Sequence, residues 1–85
     1  MHDFHLADII FKTILEHAEK NSLNNVKSAT VDLGSIVEHG EEVLPENVKF
    51  NVDMLSKGTL AEGIVLKINK ITGHSWILRE IEGDK

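Results

Sequence analysis

Apolar side chains recur at helical spacing through residues 3–21. Phe4, Ala7, Ile10, Phe11, Ile14 and Ala18 fall three, four or seven apart, and Leu6, Ile9 and Leu15 widen the stripe. That periodicity predicts an amphipathic helix from Asp3 to Asn21. Asp3 is its expected cap, because a carboxylate accepts from an amide otherwise unpaired at the helix start. Asn21, Ser22, Asn24 and Asn25 end it.

The period then changes. From Val26 to Val37 the residues Ala29, Val31, Leu33, Ser35 and Val37 share one face, and Ser28, Thr30 and Asp32 the other, which predicts a half-buried strand. His39, Gly40, Glu41 and Glu42 read as a polar loop. Pro45 suits the first turn of a second helix, where its missing N–H has no partner to lose. Val48, Val52 and Leu55 repeat at helical spacing there, flanked by Phe50 and Met54, and Lys57 and Gly58 close the element. Ile64 to Ile71 alternates again, with Ile64, Leu66 and Ile68 opposite Lys67 and Asn69. Thr72, Gly73 and His74 make a short turn into a third strand, Ser75 to Ile81, and the last two strands are expected to pair as a β-hairpin. The fold expected is α+β: a two-layer sandwich with two helices on one face of a three-stranded sheet, in the order α-β-α-β-β. With no linker or repeat in sight, residues 1–85 read as a single domain.

Composition narrows the chemistry. The 85 residues are 41% hydrophobic and 27% charged, ordinary for a globular domain. Cysteine is absent, so this chain offers no disulfide, cysteine zinc site or thiol nucleophile, and no zinc site is expected. A formal charge of -5, without a lysine patch, repels phosphate backbones and anionic lipid, so neither nucleic acid nor membrane is an expected partner. No apolar run approaches the roughly 20 residues that span a bilayer, and no basic-then-apolar leader is visible. A soluble, cytoplasmic protein is the expectation.

The richest chemistry lies in Met1-His2-Asp3. A free α-amine, the backbone nitrogen of residue 2 and the His2 imidazole can wrap one cation through fused chelate rings. Deprotonated backbone nitrogen favours square-planar Ni(II) or Cu(II) over tetrahedral zinc. Histidine also reaches position 2 by chance, which leaves an incidental terminus as the competing reading. His5 lies one helical turn from His2 and can approach the same ion, or simply face solvent beside the apolar stripe. His17 is more than three turns further along and reads as a surface residue, and His39 and His74 sit in loops. No enzyme motif appears: no serine stands on a sharp strand–helix turn, Glu41 and Glu42 read as solvated, and Gly58 and Gly63 are too isolated to cradle phosphate. Trp76 reads as packing.

Taken together, these pieces resemble the hydrogenase/urease maturation nickel metallochaperone family (HypA/HybF). Its members begin Met-His-Glu before a Leu-Ala element that opens a long helix, and here the start is MHDFHLADII. A strand ending in a Leu-Gly pair is similar to Thr30 to Gly34, and a Pro-Glu-opened helix with a central Phe to Leu44 to Phe50. Met54 to Ile68, MLSKGTLAEGIVLKI, resembles the family's Leu-Thr-Lys-Gly-Thr-x-Ala-Glu-Gly segment.

The resemblance implies nickel ligands at Met1, through its amine, and His2, through backbone and imidazole nitrogens, with Asp3 as the motif's acidic residue. It implies transient Ni(II) carriage to an apo-metalloenzyme client, with a maturation GTPase as partner. Family members insert a zinc module with paired Cys-x-x-Cys motifs between the last two strands, where this chain has only Thr72-Gly73-His74. Its loop from Ser35 to Val43 is about four residues longer than the family's. His74, rooted where that module would stand, is a candidate fourth ligand beside His5. The alternative is a zinc-domain-less paralogue that works as an interaction or homo-oligomerisation module without metal, since a three-stranded sheet has exposed edges.

Overall fold

The computed structural model describes residues 2–38 and 40–85, with the side chains at positions 2–4 and 38 outside that description. Helix α1 runs His2–Lys20, β1 Ser28–Leu33, β2 Val37–Glu38, β3 Glu41–Glu42, α2 Pro45–Ser56, β4 Val65–Lys70 and β5 Trp76–Glu82. Asp3 thus lies inside the first turn of α1 rather than capping it. The helix ends in a Schellman motif. Leu23 N–H donates to the Ala18 carbonyl (2.9 Å) and Ser22 N–H to that of Glu19 (3.1 Å). Ser22 takes the left-handed conformation at φ 58°.

The three-stranded sheet has the order β4-β1-β5, with β1 parallel to β4 and antiparallel to β5. The α+β sandwich of two helices and a three-stranded sheet is therefore present. The expected hairpin of the last two strands is not: β1 lies between them. The physical reason is at Gly34. Ile71 N–H donates to the Leu33 carbonyl (3.0 Å), and Gly34 and Ser35 N–H donate to the carbonyls of Ser75 and Gly73 (both 2.8 Å). Residues 71–75 therefore cross over the end of β1 instead of turning back beside β4. A Cβ on Gly34 would stand 2.6 Å from the Gly73 oxygen, so only glycine admits this crossing.

Val37 also departs from expectation. It belongs not to β1 but to a separate two-stranded hairpin, pairing with Glu42, and is 62% exposed. Residues read as a loop, Glu41 and Glu42, are that hairpin's second strand.

One core joins the layers. Leu6, Ala7, Ile10, Phe11, Ile14 and Ala18 of α1, Val48 and Val52 of α2, and Ala29, Val31 and Leu33 of β1 are all buried in one cluster. Each fully buried aliphatic side chain contributes about 1.5–3 kcal/mol. In β5 the core-packed residues are Trp76, Leu78 and Ile81. The irregular spacing follows from a bulge: Val31 pairs with Leu78 but Thr30 with Glu80, which restores Ile81 to the core side opposite Ala29.

The segment after α2 is a run of turns. Thr59 N–H donates to the Ser56 carbonyl (3.0 Å), with Lys57 at φ -62°, ψ 131° and Gly58 at φ 79°, a type II turn. Thr59 Oγ1 donates to the same carbonyl (2.6 Å) and accepts from Ala61 N–H (3.1 Å). The Ser-Lys-Gly-Thr-x-Ala-Glu-Gly segment thus steers the chain from α2 into β4.

Candidate metal centre

The amphipathic stripe of α1 anchors the candidate site. With Leu6, Ala7 and Ile10 buried, the core holds the helix from its second turn onward. The described helix begins at His2. The amide of residue 2 is therefore among the first four of an α-helix, which have no carbonyl one turn back to receive them. That nitrogen is uncommitted to the helical ladder. The positive end of the helix dipole also favours a negative, deprotonated nitrogen there.

Met1 and His39 lie outside the described residues, as do the side chains of His2 and Asp3. His5 is exposed, one turn along from His2. His17 is exposed at the far end of α1, where it borders a groove of about 520 Å³ with Asn21, Leu23, Ile81 and Gly83. That groove joins the last turns of α1 to the end of β5.

His74 belongs to the crossing of residues 71–75 over the end of β1. Its side chain is exposed and its Nδ1 lies 3.2 Å from the Ser35 carbonyl oxygen. A carbonyl only accepts, so in a hydrogen bond between them Nδ1 is the donor, which leaves Nε2 outside that contact. Ligating histidines share this arrangement, with one ring nitrogen held by a carbonyl and the other free for a metal. The sequence offered His74 as a loop residue, but it gave no sign of Ser35, whose part is played by a backbone carbonyl 39 positions away. Among the described residues no group of three or more His, Asp or Glu side chains gathers to hold a metal. The described ligand candidates, His5 and His74, are not brought into such a cluster.

Trp76 packs partly buried against the core, as its position suggested. Among the described residues no helix is long and apolar enough to cross a membrane.

Comparison with solved structures identifies the fold. The solution structure of the Ni metallochaperone HypA from Helicobacter pylori superposes with a TM-score of 0.80, covering 99% of this chain and 98% of that one, at 13% identity. The sequence identifies the family. The model for hydrogenase/urease nickel incorporation metallochaperones, HypA, matches residues 1–77. The hydrogenase maturation factor HypA of Pyrococcus furiosus is 36% identical over 90 residues, covering 96% of this chain and 62% of the relative. That of Rhizobium leguminosarum bv. viciae is 32% identical over 78 residues, covering 92% of this chain and 66% of the relative. The chain belongs to the HypA family. It spans about 62% of the length of the Pyrococcus relative. The family is one of nickel metallochaperones rather than enzymes, as the lack of a catalytic motif suggested.

Proposed function

We propose that residues 1–85 form a single nickel-binding domain, which carries Ni(II) transiently to an apo-metalloenzyme client during hydrogenase or urease maturation. The Met1 amine and the backbone and imidazole nitrogens of His2 supply three donors, and Asp3 completes the motif. The fourth position falls to His74 through Nε2, or to His5. A maturation GTPase is the expected partner, and the cytoplasm the expected compartment. The observation that carries the reading is the start of α1 at His2, which leaves that residue's amide free of any helical bond in a chain of the HypA family. Family membership favours it over the metal-free interaction module.

A site of this kind suits a carrier. A site on the first residues of the chain, ahead of a stripe packed from Leu6 onward, suits an ion that is to be handed on. Amine and imidazole must shed protons to coordinate, so affinity falls with pH. Ni(II) titration of untagged protein should give a square-planar absorption band that His2→Ala removes. An undiminished band in that variant overturns the ligand assignment.

A further inference from the structure

Helix α2 buries Val48, Asn51, Val52 and Ser56 and turns its other face to solvent. On that face Phe50 is 62% and Met54 52% exposed, an apolar pair one turn apart on a helix otherwise edged with charge. Glu46, Lys49, Asp53 and Lys57 are also exposed, and none forms an ion pair within the described chain. At 100° per residue these four lie to one side of the line through Phe50 and Met54.

Their order is self-complementary. Read from the helix middle near Asn51 and Val52, Glu46 toward the N-terminus is balanced by Lys57 toward the C-terminus, Lys49 by Asp53, and Phe50 by Met54. A two-fold axis perpendicular to two antiparallel helices keeps each flank facing its own counterpart. Two α2 helices packed this way bring Glu46 of one copy against Lys57 of the other, Lys49 against Asp53, and Phe50 against Met54. Every pair then occurs twice, and no like charges meet.

We propose that this face of α2 is a self-association surface, whose occupant is α2 of a second copy of this chain in antiparallel two-fold packing. A helix of 12 residues is about 18 Å long, so the contact is small and the dimer weak and concentration-dependent. This inference uses no metal and is independent of the nickel reading.

Sedimentation equilibrium of metal-free protein, up to about 1 mM, tests it. Wild type should dimerise with increasing concentration, and E46K should weaken association roughly tenfold, because two attractive pairs become repulsive. The double variant E46K/K57E should restore it. Glu46 in the first turn of α2 and Lys57 at its C-cap are about 16 Å apart along one chain, so the restoring pair forms only between copies. F50D should abolish the dimer. Wild type that stays monomeric at the highest concentration, or a double variant as weak as E46K, overturns the proposal, and the first result would leave the apolar pair to a different protein.

Discussion

Replacing Gly34 with alanine should loosen the end of the sheet that carries His74. The new Cβ would stand 2.6 Å from the Gly73 oxygen and 2.8 Å from the Ser75 oxygen, both backbone atoms that cannot rotate away. Residues 73–75 must retreat, and the two 2.8 Å bonds from Gly34 and Ser35 to their carbonyls lengthen or break. Each bond is worth about 1 kcal/mol net, and forced overpacking costs about 1–3 kcal/mol. The sum, about 3–5 kcal/mol, is a large part of the roughly 4–13 kcal/mol expected for a domain of this size. At about 4–8 °C per kcal/mol, Tm should fall by at least about 10 °C in thermal unfolding. Hydrogen exchange should show the Gly34 and Ser35 amides losing protection first. A Tm within about 3 °C of wild type would refute the account of the crossing.

Other expectations follow from particular contacts. Ser22→Gly relieves the left-handed backbone at the end of α1 and should raise stability by about 1 kcal/mol, read as a Tm increase of a few degrees. The Asn25 amide, and then Lys27, hold the Asp84 carboxyl below its ordinary value of 3.8. A lowered value in the folded state means stability present above the ordinary value and lost as pH falls from there through the lowered one, so the urea midpoints of wild type and Asp84→Asn should differ near neutrality and converge at pH below both. Gly83→Ala drives a Cβ into the Asn25 carbonyl and should release the chain end from residues 24–25, seen as lost amide protection there. His74→Ala should weaken nickel binding severalfold without lowering Tm, because the side chain is exposed, whereas unchanged affinity would assign the fourth position elsewhere.

Much of the fold was legible because burial imposes period. The α1 stripe, the alternation of Ala29, Val31 and Leu33 and the helical spacing of Val48 and Val52 all reach the core they imply. Strand order was not legible from a rule that joins consecutive strands. A signal was nonetheless present: β1 buries every second residue, while the lysines of β4 and the charges of β5 mark edge strands. The bulge in β5 was hidden because one extra residue disrupts the alternation that reveals a strand. The Met-His-Asp start offers candidate chemistry in the sequence because chelate rings depend on covalent order, and its side chains lie outside the described residues. The contact between His74 and Ser35 was not, because it joins a side chain to a distant backbone carbonyl. The Ser56–Gly63 segment carried family likeness, and its role is structural: hydroxyl and glycine turns between α2 and β4.

The central claim is that the chain's own first residues hold nickel through the terminal amine. Competition titration with a chromophoric nickel chelator, comparing protein that starts at Met1 with protein bearing one extra residue ahead of it, tests this most directly. The extension should displace the amine, break the chelate ring and remove tight binding. Equal affinity in the two proteins would contradict it.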